Sequence, residues 1–476
     1  MEVIAENVAF QVFGAEGSGS TAEARARTSN RMFVRSQDHL AVYREGDSGH
    51  RLSAVEALTA YGFEKLVEAV EFGSAILPPS TEEPAATLFD RRNALGLTTQ
   101  TVADRAGLRE SDVQQAENTT ARSPIATLEK IATTLGLDER LIAAQAGSGG
   151  DARLAARLRT LSTERLSFSQ NVVGTFAEAA WVIRTQIRLA DDLWGHSEPL
   201  FEPDANYGSS EYPAWRHGYF LATKARQILH LDSQPISSLR ELCGKLRIPF
   251  MLATLPKQFA GATIESGSGR GILLNALNQN VWIRRATLAH ELGHMFWDPS
   301  DRLKAVHVDE YDAISNSPSH EKDFVEARAN AFAIEFLAPA KGMEDVFHKE
   351  SDATAGLRSI MDVYGISFTA ARNHIWNTVG KGVEFRLRSD FDVNASAHWL
   401  GTESYTDDWF PLKTTSQLRR GEFAGVVVAA ERSRLISVDT AAAYLQCEPA
   451  EYETAASQVL ELFPTVQPAQ GSLNRS

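Results

Sequence analysis

Cysteine is nearly absent from this 476-residue chain: Cys243 and Cys447 are the only two, and they lie far apart in sequence. That excludes a disulfide-stapled secreted scaffold and leads us to expect a reducing, cytoplasmic setting. Long apolar runs are missing as well. Spanning a bilayer takes roughly 20 consecutive apolar residues, and the longest candidate, Phe423 to Ala430, falls far short, so no membrane partner is expected. The opening MEVIAENVAF carries acid early and lacks the basic flank and apolar core of a signal peptide. A basic excess is lacking too. Lys and Arg number 47 against 61 Asp and Glu, a formal net charge of −14. Such a balance disfavours a chain that coats nucleic acid non-specifically, yet leaves room for a small domain that reads it.

What is present is ordinary globular composition, 43% hydrophobic and 23% charged. The length exceeds what one core usually serves, so two to four domains are expected. Composition and periodicity divide the chain into five stretches. Residues 1–85 are an N-terminal region of unknown role, closed by Pro78-Pro79. Residues 86–146 read as short helices broken at glycine and proline. Residues 147–214 read as a helical linker rich in Ala, Leu and Arg. Residues 215–380 are α+β, and residues 381–476 form a C-terminal region of unknown role. The expected fold class is mainly α with a small α+β part.

The strongest chemical signal is His290-Glu291-Leu292-Gly293-His294, inside RRATLAHELGHMFWD. On a helix, His290 and His294 are four apart and project from one face, where two imidazoles can reach one zinc ion at about 2.0–2.1 Å each. Glu291 beside them is placed to take the proton of an attacking water. Leu288, Leu292 and Met295 form a separate stripe able to anchor the helix. A third ligand is offered by Glu326 in DFVEARANAFAIEFLAP, where Val325, Ala329, Phe332 and Phe336 mark an amphipathic helix. Two histidines and a glutamate leave an open position, as catalytic zinc requires. Glu321, His320 and His307 compete with Glu326 for that role. Asn330, one turn on, could take a hydrogen bond from the outer nitrogen of a ligand histidine. His307, Tyr311 and His320 are the candidate donors to an oxyanion.

The order RRATLAHELGH, acidic loop, ExxANAFAxExLxP resembles the ImmA/IrrE family of zinc metallopeptidases, whose site is gluzincin-like. The resemblance runs over roughly residues 215–380 and includes LATKARQIL, ILLN and MDVYGISFTAARNHI. It implies a Zn²⁺-dependent endopeptidase with His290, His294 and Glu326 as ligands and Glu291 as base. The chain departs from the family pattern at three places. Ala286 stands where Phe is usual, Arg328 where Glu is often found, and Trp297-Asp298 where a His often follows the motif.

Residues 87–144 resemble the helix-turn-helix domain of the XRE, or Cro/lambda-repressor-like, family. Leu95, Leu97, Val102, Ala103, Ala106, Val113, Ile125, Leu128, Ile131 and Leu135 supply a small core at helical spacings, and Gly107 provides a tight turn. By that resemblance Arg109, Ser111, Gln114 and Gln115 would face the major groove. Between Leu88 and Arg140, however, seven basic residues stand against eight acidic ones, which gives little capacity to neutralise phosphates.

The resemblances together imply a helix-turn-helix bundle followed by a gluzincin-like metallopeptidase domain. The expected function is cleavage of a repressor-type helix-turn-helix protein in a stress, phage or mobile-element response. Double-stranded DNA is a second expected partner, and oligomerisation is left open. The alternative is a DNA-binding transcriptional regulator whose peptidase-like half senses a ligand or partner.

Overall fold

The computed structural model describes residues 6–36, 38–77, 82–142, 168–204, 212–266, 269–277, 280–299, 307–310, 324–387, 391–403 and 410–466. It is mainly helical, with two small four-stranded sheets. Among the described residues no helix is long and apolar enough to cross a membrane. The chain divides into two units that do not follow sequence order. One holds residues 1–196, 266–269 and 407–476, and the other holds 197–265 and 270–406.

The first unit begins with helices α1 (Glu6–Phe13) and α2 (Ala22–Thr28) and strands β1 (Met32–Arg35), β2 (His39–Val42) and β3 (His50–Ser53). Helix α3 (Ala54–Glu71) and strand β4 (Ala75–Ile76) follow. The sheet is antiparallel with order β3-β1-β2-β4. Ser53 starts α3 with a capping box: its hydroxyl accepts from Glu56 N while Glu56 accepts from Ser53 N. Alternating strand positions such as Phe33, Leu40 and Leu52 turn inward onto Phe13, Ala57 and Leu66.

Four helices come next: α4 (Glu82–Leu95), α5 (Thr99–Ala106), α6 (Glu110–Ala116) and α7 (Ile125–Thr134). Thr98 caps α5, and Gly107 ends it at φ 65°, the left-handed conformation that glycine adopts without penalty. Every apolar position that the spacing assigns to this small core is buried.

Helix α8 (Gln170–Trp194) departs from the expectation of a linker over 147–214. Val172, Phe176, Trp181, Ile183 and Leu189 are all buried, as is Glu178. Trp181 Nε1 donates to Glu139 Oε2 at 2.7 Å, and Glu178 meets both Arg105 (2.5 Å) and Arg419 (2.8 Å). A helix wetted on one side only by a spacer role would not bury polar groups in pairs this way; α8 is core.

The second unit contains α9 (Ala214–Ile228), α10 (Leu239–Lys245), β5 (Phe250–Ala253), β6 (Phe259–Ser266), β7 (Gly269–Asn275) and α11 (Val281–Trp297). Strand β8 (His307–Glu310) and helices α12 (Phe324–Leu337), α13 (Ala340–Phe347), α14 (Ala353–Tyr364), α15 (Phe368–Thr378) and α16 (Ala397–Thr402) complete it. The sheet order is β5-β7-β6-β8, with β5 parallel to β7 and β8 antiparallel to β6. The core lies among Leu288, Leu292 and Phe296 of α11, Phe332 and Phe336 of α12, and Ile360 and Met361 of α14.

The C-terminal stretch 381–476 is likewise not one region. Trp399 of α16 is buried in the second unit beneath the Arg285 guanidinium, 4.1 Å from its ring centre, and Glu403 pairs with that arginine. Helices α17 (Glu422–Arg432), α18 (Val438–Leu445) and α19 (Pro449–Glu461) belong to the first unit. The physical reason is the same in both cases: these segments complete cores begun elsewhere.

Candidate metal centre

Asn280 opens α11 by accepting from Trp282 N at 2.9 Å, which sets the helix phase. From that start His290 and His294 fall on the face turned to α12, and both are buried, as is Glu291. Gly293 lies between the histidines on the side facing Phe332. A Cβ there would stand 2.9 Å from Phe332 Cδ1, so glycine is what permits the two helices to lie this close. Buried Ala329 and Ala333 keep α12 slim on its inward side.

The approach brings three donors together. The His290 and His294 Nε2 atoms are 3.0 Å apart, and Glu326 Oε2 is 3.2 Å from the first while Oε1 is 3.6 Å from the second. All three donor atoms lie within 4.8 Å of one another. Ligands at about 2.0–2.1 Å in a tetrahedron around zinc are about 3.3 Å apart, so the triplet has the spacing that ion needs. The outer ring nitrogens support this reading. His290 Nδ1 donates to Asn330 Oδ1 at 3.0 Å, and His294 Nδ1 donates to Asp298 Oδ2 at 2.8 Å. Both hydrogen bonds put the lone pair on Nε2, so two lone pairs converge on one point, an arrangement that a cation satisfies.

Electrostatics agree. Burial opposes charge on His294, yet the Glu326 and Asp298 carboxylates hold its pKa up to about 10. Burial pushes Glu326 up, but His294 and His290 bring it well below the usual carboxylate range. Asp298, raised by burial, is brought down to about 2 by His294 and Arg328. These carboxylates favour positive charge on His294, and a metal ion at Nε2 would take the place of that proton. Glu291 is directed by a neighbour in the sheet: the buried Thr263 hydroxyl on β6 donates to Glu291 Oε2.

His290, Glu291, His294, Glu326 and Asn330 are therefore brought to one place. His307 lies on β8, where its backbone pairs with Thr263. Tyr311 and His320 fall outside the described residues, as does the competing Glu321. Arg109 caps α6, and Ser111, Gln114 and Gln115 are exposed along it. Arg109 is held by Asp112 at 2.8 Å, and Gln115 Nε2 donates to Arg122 O at 2.6 Å. Three residues at the metal centre escaped sequence reasoning: Thr263, Asp298 and Arg328. Asp298 carried a usable signal, since a carboxylate four residues after a ligand histidine reaches the same helix face. Thr263 carried none, because only the sheet brings it to Glu291.

The centre lies within a stretch with known relatives. Residues 255–375 match the family model of the IrrE N-terminal-like domain, Peptidase_M78. That domain is of the ImmA/IrrE metallopeptidase type, so this part of the chain is similar to a metal-dependent peptidase, generally a zinc one. No curated protein matches the chain.

Proposed function

We propose that the chain is a zinc-dependent endopeptidase coupled to a helix-turn-helix module, acting on a repressor-type protein in a stress or phage/mobile-element response in the cytoplasm. The observation that carries the enzymatic part is the convergence of His290, His294 and Glu326 beside a carboxylate, Glu291, that ligates nothing in that triplet. When bound, zinc would polarise the scissile carbonyl and bring the pKa of water toward ~7. Glu291 takes the proton of the attacking water and passes it to the leaving amine. Thr263 aims Glu291 by its hydroxyl, while Asn330 and Asp298 hold the two imidazoles with Nε2 turned toward each other and Glu326.

The proposed recognition module is α4–α7. The exposed polar face of α6, with Ser111 and Gln114, is what supports contact with double-stranded DNA. A binding constant falling steeply between roughly 50 and 200 mM salt is the expected result, and a flat response removes DNA as the partner. The Arg109–Asp112 pair argues for a shallow slope, because that arginine already neutralises a carboxylate.

The deciding experiment compares the wild type with His290→Ala and Glu291→Gln. Purified wild type should carry about one zinc per chain. His290→Ala should lose it, whereas Glu291→Gln should retain it and trap uncleaved substrate from cells under DNA damage or phage infection. Cleavage of the trapped protein by Glu291→Gln at the wild-type rate would refute the peptidase mechanism.

A further inference from the structure

Two buried charges close to the candidate ligands, Asp298 and Arg328, meet in the fold. Asp298 ends α11, four residues after His294, and is fully buried. Its Oδ2 accepts from His294 Nδ1 at 2.8 Å, and its Oδ1 pairs with Arg328 Nη2. Arg328 is buried as well and sits on α12, two residues beyond Glu326. Side chain to side chain, the connection runs from one candidate ligand, through two buried charges, to the helix that carries another.

A buried aspartate or arginine is costly, and removing one member of the pair takes a principal counter-charge from the other. The pair also serves more than packing. The Asp298 backbone is pinned from two sides: its N–H donates to His294 O at 3.0 Å, and its carbonyl accepts from Arg270 Nη1 at 2.8 Å. With the main chain fixed, the carboxylate is confined between the imidazole and the guanidinium. A carboxylate on the outer nitrogen of a ligand histidine fixes the tautomer and strengthens the inner nitrogen as a donor. His290 has a neutral partner, Asn330, in the corresponding place. The two histidines are thus unequal, and His294 has the charged support.

We propose that Asp298 and Arg328 are positioning residues of the metal centre. Asp298 holds His294 in the metal-binding tautomer. Arg328 holds Asp298 and fixes α12, and with it Glu326, against α11. This rests on reading His290, His294 and Glu326 as a zinc site.

The test measures zinc affinity of the full chain by competition with a chromophoric chelator, together with the absorption spectrum of the cobalt-substituted protein. Asp298→Asn/Arg328→Met removes both charges of the pair together. It should bind zinc about 10–100-fold more weakly than wild type and shift the cobalt bands. Arg328→Met, which retains the carboxylate on His294, should lose less, and Arg328→Lys should recover most of that loss. Thermal melting of the zinc-free proteins checks the fold. Should the double variant not fold, Arg328→Met against Arg328→Lys decides, and equal zinc affinity in those two overturns the proposal. Zinc affinity of the folded double variant within about twofold of wild type also overturns it. A wild type that binds no zinc would instead remove the zinc reading itself.

Discussion

Gly293 of α11 faces the ring of Phe332 on α12, with 2.9 Å between Phe332 Cδ1 and the point where a Cβ would stand. Phe332 cannot readily yield, because it is buried and stacks on Phe336 at 5.1 Å between ring centres. Gly293→Ala should therefore push the helices apart. The expected cost is about 1–3 kcal/mol of stability, typical of overpacking, accompanied by weaker zinc binding as Glu326 withdraws from the histidines. Urea denaturation and chelator competition on the same protein check both; an Ala variant as stable and as tight for zinc as wild type would contradict the contact.

Thr263 defines the orientation of Glu291 from a strand rather than from the helix that carries the motif. Thr263→Val keeps the shape and removes the donor. Turnover of the trapped substrate should fall by about tenfold to a hundredfold, part of the ~10²–10⁴ that a general base contributes, with KM and zinc content little changed. Thr263→Ser should restore most of the rate. A fall in zinc content equal to the fall in rate would show that Thr263 acts on the metal site's integrity instead.

These two residues also show where sequence reading reaches and where it ends. The spacing within HELGH and the stripe Val325, Ala329, Phe332, Phe336 are helical periodicities, so the two helices and their polar faces were legible locally. Thr263 reaches Glu291 through sheet pairing, and a strand's register is set by long-range contacts that leave no short-range pattern. The core position of α8 is hidden in the sequence for a related reason. That helix is buried on most of its faces, so Ala, Leu and Arg recur without the polar stripe that would betray a partner. The C-terminal helices likewise gave no hint of which core each would join.

Glu178 provides a measure of how deeply α8 is built in. It is 3% exposed and meets Arg105 and Arg419 at once. Glu178→Gln leaves two arginines short of their carboxylate and should destabilise the first unit by about 3–5 kcal/mol, the usual consequence of breaking a buried ion pair. Zinc affinity should be unaffected at temperatures where the variant remains folded. A change below about 0.5 kcal/mol, as for an ordinary surface position, would return α8 to the role of a linker.

Two buried histidines outside the metal centre titrate in opposite directions and should bound stability on either side of neutrality. His50 is opposed by burial but held up to about 9 by Glu129, whose Oε2 is 2.7 Å from its Nδ1. Its folded pKa lies above the unfolded 6.5, so its contribution is complete below that value and is lost as pH climbs toward 9. His374 is driven down to about 4 by burial, against a hydrogen bond from its Nε2 to Ala338 O at 2.7 Å, while Tyr219 donates to its Nδ1 at 2.8 Å. Here the folded pKa lies below the unfolded one, so the contribution is complete above 6.5 and is lost as pH falls toward 4. Each shift corresponds to about 3 kcal/mol at most. Urea denaturation at pH 5, 7 and 9.5 should show both losses in the wild type. His50→Gln should reduce the alkaline loss, to which His294 also contributes, without changing the acid loss, and His374→Gln should reduce the acid loss without changing the alkaline one. Wild-type pH slopes retained in both variants would mean that other groups set the limits.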